Sequence, residues 1–165
     1  MINDEPIAHT KDGRPLFDNT PTVVVMMVLI HNRILVVRRG NEPGRGLLGL
    51  PGGYHMRGES WQEAGCREVM EETGYLLDPN RVSLFQQPVT DEYGCNLMIA
   101  RHHGPVERQP DWQQPDEVME VLRLNYVNNP EDWAFPRHFK AARRLCPHPE
   151  DTAVRPVGKV SSFVS

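Results

Sequence analysis

The longest apolar stretch of the chain is residues 23–30, and β-branched side chains dominate it. Eight residues are too few for a typical helix, and the lack of polar alternation is typical of a strand buried on both faces. The dipeptide His31-Asn32 follows, and asparagine tolerates the positive φ of a tight turn. A second strand over residues 33–38 then completes a predicted β-hairpin.

Residues 61–73 form the clearest predicted helix, because they contain no proline and lie between two helix-end signals. Ser60 and Glu63 have the spacing of a capping box, in which each side chain binds a free backbone N–H of the other residue. Gly74 stands where helices commonly end in a left-handed residue. These three residues predict both ends of the helix.

At 100° per residue, Glu68, Glu71 and Glu72 share an arc of about 100° on this helix. The side that carries Val69 is expected to pack on a sheet, while the small residues Ala64 and Gly65 are expected to leave the acidic arc open. Carboxylates at this spacing repel each other by a few tenths of a kcal/mol per pair. They indicate either a solvated acidic face or the ligands of a hard cation, and oxygen ligands suit Mg²⁺ or Mn²⁺.

The rest of the chain alternates short strands with loops before one final helix. Strands are predicted at residues 82–86, 96–101 and 118–127, a turn at 91–94, the last helix from 135 or 136 to 145, and loops at 40–53 and 105–115. We divide the chain into an irregular N-terminal arm (1–21), one domain (22–146) and a flexible C-terminal tail (147–165). The order of elements is typical of an α/β domain.

Composition excludes several classes of protein. With 165 residues, of which 39% are hydrophobic, the chain is long enough to bury a core without disulfides. The longest apolar run is well short of the roughly 20 residues of a membrane-spanning helix, and the first residues lack the pattern of a signal peptide. Three widely spaced cysteines form no metal or disulfide spacing, which indicates a reducing cytoplasm. The net charge of −4 argues against general nucleic-acid binding.

Most of the net charge of −4 lies in residues 53–75, which contain five glutamates and two arginines. The fixed positions of the pattern there are Gly53, Glu59, Arg67, Glu68, Glu71, Glu72 and Gly74, with an aliphatic Val69 inside it. This pattern resembles the Nudix box, Gx5Ex7REUxEExGU, and departs from it at Tyr75, where an aliphatic residue is usual. Seven fixed positions match by chance on the order of 10⁻⁸ times per window, and the similarity extends over residues 22–77.

The resemblance implies a Nudix-type α/β/α sandwich with a mixed sheet and a divalent-metal-dependent pyrophosphohydrolase activity. It implies that Glu68 and Glu72 are the main ligands of Mg²⁺ or Mn²⁺. Glu71 matches a further ligand, direct or through water, and the carbonyl of Gly52 matches a backbone ligand.

The residues leave the general base open. Glu71 is one candidate inside the box, and Glu117 and Glu120 are two candidates outside it. In an extended segment Glu117 and Glu120 point to opposite faces, with Val118 on the face of Glu120, so at most one of them is expected to reach the metal site. We favour Glu117, because it lies nearer to the loop end of the segment.

Charged residues around the box have two expected roles. By the same resemblance, Glu59 and Arg67 match a structural ion pair that holds the loop to the helix. Arg38, Arg39 and Arg45 precede the box and are candidates to clamp a phosphate through two parallel hydrogen bonds.

Substrate identity lies outside the box. NADH-cleaving family members carry a Ser-Gln-Pro-Trp-Pro-Phe-Pro array, and residues 86–90 lack its aromatic half. We expect a nucleoside diphosphate linked to a second moiety, with ADP-ribose as the first choice and Phe85, Tyr93 and Trp133 as candidates to stack its base. The alternatives are a nucleoside-triphosphate pyrophosphatase that clears damaged nucleotides and a non-catalytic nucleotide sensor. The expected partner is a small nucleotide, and neither nucleic acid nor a membrane is expected to bind. The sequence leaves open whether the chain forms a homodimer.

Overall fold

Two helices lie on opposite sides of a layer of strands in the computed structural model, which describes residues 5–149. In chain order the elements are β1 (Ala8–His9), β2 (Pro15–Leu16), β3 (Thr22–Met27), β4 (Leu29–Ile30), β5 (Arg33–Arg39), β6 (Leu48–Gly49), β7 (Gly52–Tyr54), α1 (Trp61–Thr73), β8 (Tyr75–Leu76), β9 (Val82–Leu84), β10 (Val89–Thr90), β11 (Asn96–His102), β12 (Glu107–Arg108), β13 (Val118–Leu124) and α2 (Pro136–Leu145). Single 3₁₀ turns occupy Pro79–Arg81 and Pro130–Asp132.

The two largest sheets are built around β3 and β5. The first has the order β10-β11-β3-β7, with β9 also paired to β11. Its β11–β3 pair is parallel, while β10–β11, β9–β11 and β3–β7 are antiparallel, which makes the sheet mixed. In the second sheet β5 lies between β13 and β4 and also pairs with β6, all antiparallel.

Alternate residues of β3 serve two different cores. Val24 and Met26 pack in the cluster that contains Val69 of α1. Val25 and Met27 pack in the other cluster, which contains Ala141 and Ala142 of α2. Because each face of the strand layer is covered by one helix, the predicted α/β/α sandwich with a mixed sheet is confirmed.

Local end signals fix α1 and the first turn as predicted. Ser60 and Glu63 form both halves of the capping box, and Gly74 ends α1 in the left-handed region with φ of 73°. His31 and Asn32 turn the chain with φ of 49° and 61°. The predicted helix limits at residues 61 and 73 are therefore confirmed.

Several segments predicted to be irregular contain short strands. Residues 40–53 include β6 and the start of β7, and β12 in the 105–115 loop pairs with β8. In the N-terminal arm β1 pairs with β2, so residues 5–21 are not irregular throughout. These pairings form between segments that are separated along the chain or individually too short to show a periodic pattern.

The last strand ends earlier than predicted, at Leu124 rather than at Val127. Val127 is fully buried in the core under α2, and its N–H donates to the carbonyl of Cys146. The predicted tail falls outside the described residues from residue 150 onward. None of the helices in residues 5–149 is both long enough and apolar enough to cross a membrane.

Candidate active site

The packed face of α1 includes part of its acidic side. A Cβ on Gly65 would lie 2.5 Å from the Met26 sulfur, and Ala64 has no exposed surface. The small size of these two residues lets β3 approach α1 closely, so they are buried themselves, while the acidic arc that they flank faces the cavity described below. Glu72 is buried with them, at 8% exposure, and Glu68 lies at the edge of the packed face with its side chain 15% exposed.

Glu72 is a buried carboxyl group with one backbone partner. The N–H of Gly52 donates to Glu72 Oε2 at 3.0 Å. Burial and, to a smaller extent, the nearby carboxylates of Glu68 and Glu117 raise the pKa of Glu72 to about 8, against the lowering effect of the Gly52 hydrogen bond. A positive charge placed at this point would favour the ionised carboxylate.

Arg67, on α1, binds the segment that precedes the helix, residues 54–59. Its Nε and Nη2 donate to the two carboxylate oxygens of Glu59, at 3.0 and 2.8 Å, and Nη2 also donates to the carbonyl of Tyr54. These hydrogen bonds hold the pKa of Glu59 at about 2. Nη1 of the same guanidinium donates to Glu68 at 2.7 Å and to Glu71 at 3.1 Å. Arg67 therefore binds Glu59 before the helix and two acidic side chains on the helix.

The acidic side chains fit a divalent cation in donor chemistry, although in residues 5–149 no three His, Cys, Asp or Glu residues are already grouped as metal ligands. Glu68 and Glu71 turn toward Arg67, and Glu72 turns toward Gly52. A Cβ on Gly53 would lie 2.5 Å from the Glu68 carboxyl carbon, so this glycine leaves the room that Glu68 occupies. Carboxylate and carbonyl oxygens are the donors that Mg²⁺ and Mn²⁺ favour.

A cavity of about 550 Å³ opens over these groups. Glu68, Glu71, Glu72 and Glu117 all line it, together with Gly52. Four carboxyl groups from α1 and from the start of β13 thus share one space, although Glu117 lies 45 residues beyond Glu72 in the sequence.

Glu117 and Glu120 take different positions. Glu120 lies outside the lining of the cavity and pairs with Arg38 at 3.1 Å, whereas Glu117 lines the cavity. The expectation that Val118 shares a face with Glu120 is wrong. A bulge between these two residues breaks the alternation, so that Val118 is buried while Glu120 is exposed.

Only one of the three predicted phosphate-binding arginines lines the cavity. Arg39 does so, and its Nε donates to the carbonyl of Pro43 at 2.8 Å while its guanidinium lies 4.9 Å from the centre of the Phe135 ring. Arg38 is held by Glu120 and by the carbonyl of Gly46, and Arg45 is exposed away from the cavity.

The far wall of the cavity contains residues that sequence reasoning gave no role. Phe135 and Arg137 lie at the start of α2 and line the cavity beside Tyr93. The Tyr93 and Phe135 rings meet edge to face at 5.7 Å, and Arg137 pairs with Glu92 at 3.2 Å. Pro136 marks a helix start in the sequence, but nothing local connects that start to the 91–94 turn. Among the predicted stacking residues, Tyr93 lines the cavity, while Phe85 and Trp133 pack in the core.

His138 joins α2 to the chain that leads into the box. It is buried, and its Nδ1 accepts a hydrogen bond from the N–H of Leu50 at 3.2 Å. Burial lowers the pKa of His138 to about 3, and the Arg39 charge adds to this effect. The ring is therefore neutral at neutral pH and acts as an acceptor.

Comparison with known proteins agrees with this fold. A family model for the NUDIX domain matches residues 19–145, and the chain therefore belongs to the Nudix hydrolase family. A NUDIX hydrolase from Nitrosomonas europaea has a similar structure, with a TM-score of 0.62 and 20% identity over 86% of this chain and 78% of that chain.

Two curated relatives are similar in sequence. The ADP-ribose pyrophosphatase of Methanocaldococcus jannaschii is 47% identical over 70 residues, which is 42% of this chain and 41% of the relative. The NAD-capped RNA hydrolase of Schizosaccharomyces pombe is 29% identical over 160 residues, which is 88% of this chain and 42% of the relative. The chain thus spans less than half the length of either relative.

Proposed function

We propose that the chain is a divalent-metal-dependent pyrophosphohydrolase that cleaves a nucleoside diphosphate linked to a second moiety, with ADP-ribose as the preferred substrate. The observation that carries this proposal is the cavity in which Glu68, Glu71, Glu72 and Glu117 gather. A cluster of carboxylates repels an anionic pyrophosphate unless cations lie between the two.

Glu68, Glu72 and the Gly52 carbonyl would hold Mg²⁺ or Mn²⁺, with Glu71 as a further ligand. The cation would neutralise the pyrophosphate, orient it and lower the pKa of a bound water molecule. Glu117 lines the same space from another element and would accept the proton of the attacking water. The water oxygen then bonds to one phosphorus and the bridging oxygen leaves with the other phosphate, which converts ADP-ribose and water into AMP and ribose 5-phosphate.

The opposite side of the cavity supports a nucleoside-linked substrate. The positive charge of Arg39 acts to lower the pKa of Glu72. Its guanidinium lies against the Phe135 ring, which contacts the Tyr93 ring. The lining of the cavity thus changes from carboxylates to the Arg39 guanidinium and then to two aromatic rings. A phosphate can pair with the guanidinium, and a nucleobase or ribose can pack against the rings.

The names of the two relatives support the same class of substrate. ADP-ribose and an NAD cap both contain adenosine diphosphate linked through its second phosphate to another ribosyl group. We favour ADP-ribose over NADH as the substrate because residues 86–90 lack the aromatic half of the array found in NADH-cleaving family members.

A nucleotide panel tests the proposal. The purified chain is incubated with Mg²⁺ and either ADP-ribose, NADH or a set of nucleoside triphosphates, and the products are separated by chromatography. We expect AMP and ribose 5-phosphate from ADP-ribose at the highest kcat/KM. Pyrophosphate release from a triphosphate at a higher kcat/KM would replace this substrate by the house-cleaning alternative, and binding without cleavage would favour a sensor.

A further inference from the structure

The segment from residue 109 to residue 117, here called the strap, crosses the end of α1 on its way from β12 to β13. The N–H of Gln109 donates to the carbonyl of Gly74 at 2.8 Å. The indole N–H of Trp112 donates to the carbonyl of Glu71 at 2.9 Å, which supplies a partner for a carbonyl in the last turn of α1. The ring covers Gly74 so closely that a Cβ there would lie 2.6 Å from it. The first half of the strap is therefore fixed in position against the end of α1.

The second half of the strap is held by one side chain, that of Gln114. Its Nε2 donates to the carbonyls of both Val118, at 2.8 Å, and Met119, at 3.0 Å. Successive carbonyls of a regular strand point in opposite directions, so a single amide cannot reach two of them. The bulge at the start of β13 turns both carbonyls toward Gln114, and the two hydrogen bonds stabilise the bulge in return.

Glu117 lies between these attachments. Its carbonyl accepts from the N–H of Gly40 at 2.7 Å, and the next N–H, that of Val118, donates to the carbonyl of Pro115. A Cβ on Gly40 would lie 2.5 Å from the carbonyl oxygen of Asp116, so this close approach requires a glycine. With its backbone held on both sides, Glu117 extends its side chain into the cavity that Glu68 and Glu72 line.

We propose that Gln114 is a positioning residue for Glu117. Its amide holds the bulge that directs the Glu117 carboxylate into the cavity, while Trp112 sets the register of the strap on the helix that carries the other carboxylates. The catalytic consequence rests on the proposed function, in which Glu117 accepts the proton of the attacking water. The positioning itself is a property of the fold and is open to measurement without substrate.

Hydrogen exchange of the Gly40 amide measures that positioning directly, since its acceptor is the Glu117 carbonyl. In Gln114→Ala we expect this amide to exchange at least about tenfold faster than in the wild type, because the bulge loses both side-chain hydrogen bonds. The matched control is Gln113→Ala, an exposed neighbour in the strap, for which we expect no change. Unchanged Gly40 exchange in Gln114→Ala overturns the proposal, whatever the chain hydrolyses.

A double-mutant cycle with ADP-ribose tests whether Gln114 acts through Glu117. Gln114→Ala should lower kcat about tenfold and leave KM within about twofold, which is the pattern expected when proton transfer alone is impaired. In a Glu117→Gln background the same change should lower kcat less than about twofold, because the group that Gln114 positions is already inactive. Equal losses in both backgrounds would overturn the catalytic role, and a Gln114→Ala variant with full kcat would do the same. Failure of the proposed function itself would instead appear as a wild-type chain that cleaves no nucleotide.

Discussion

Glu72 is a carboxyl group of the site whose burial disfavours its ionised form. In the metal-free protein burial raises its pKa to about 8, whereas the same group in the unfolded chain has its ordinary value of 4.5. Between these two values the folded state holds a proton that the unfolded state has released. Stability is therefore lost as the pH rises from 4.5 to 8, by up to about 1.4 kcal/mol per pH unit.

Glu72→Gln should remove this loss. The amide oxygen can still accept from the Gly52 N–H, and the side chain carries no charge at any pH. We expect the metal-free variant to gain stability relative to the wild type as the pH rises from 5 to 8 in urea denaturation, with Glu131→Gln, an exposed position, as the control. A constant difference between variant and wild type across this range would contradict a raised pKa of Glu72 in the folded state.

Glu117 and Glu120 provide a matched pair for the general base. Glu117 lines the cavity, while Glu120 is held by Arg38 outside it. We expect Glu117→Gln to lower kcat about a hundredfold or more at saturating metal, within the usual range for loss of a general base, and Glu120→Gln to keep kcat within about twofold. Full kcat in both variants would place the base inside the box, where Glu71 is the remaining candidate.

At the scale of elements, the end of α1 explains why the box requires Gly74. Its φ of 73° is left-handed, and the Trp112 ring occupies the space that a Cβ would need. Gly58 has a φ of 97° but nothing within 4 Å of a built Cβ. The two glycines therefore differ in packing more than in backbone conformation.

Gly74→Ala should destabilise the protein more than Gly58→Ala. Left-handed backbone alone costs roughly 1–2 kcal/mol for a residue with a Cβ, and we expect that cost at both positions. At Gly74 the clash with Trp112 adds to it, on the order of 1–3 kcal/mol for an overpacked site. Equal losses of unfolding free energy in the two variants would show that Trp112 does not pack against the helix end as described.

Elements with local signals were predictable, and elements that depend on distant partners were not. The limits of α1 follow from Ser60, Glu63 and Gly74, which lie within or next to the helix. β6 and β7 lie in a glycine-rich segment that has no strand pattern of its own and become strands only through pairing with β5 and β3.

The same division applies to the site. The box glutamates are close in sequence, so the pattern alone brings them together. The bulge that separates Val118 from Glu120 depends on Gln114, and the meeting of Glu92 with Arg137 joins residues 45 positions apart. Simple strand alternation could not predict the first, and no local pattern predicts the second.

At the scale of the whole molecule, His138 connects α2, through Leu50, to the segment that leads into the box, and it does so as a neutral ring. Its pKa is lowered to about 3 in the folded state, against 6.5 in the unfolded chain. The unfolded chain therefore binds a proton below pH 6.5 that the folded chain does not. This histidine thus reduces stability as the pH falls from 6.5 toward 3.

His138→Gln should weaken this dependence, because glutamine accepts from Leu50 without taking up a proton. We expect the stability difference between wild type and variant to change by up to about 1.4 kcal/mol per pH unit between pH 6.5 and 4, with the wild type losing more on acidification. His9→Gln, at an exposed position, controls for the loss of a histidine. Parallel stability curves for wild type and His138→Gln would contradict a neutral buried His138.

In the proposed function, the carboxylate cavity between α1 and β13 is a metal-dependent centre for pyrophosphate cleavage. The most direct test measures AMP release from ADP-ribose by the wild type and by Glu72→Gln, each with Mg²⁺ and with excess chelator. We predict activity that needs the metal, rises from pH 6 to about 8.5 as protons stop competing for the carboxylates, and falls several hundredfold in a folded Glu72→Gln protein. Full activity of the wild type in chelator, or near-wild-type turnover by Glu72→Gln, would contradict metal-dependent cleavage in this cavity.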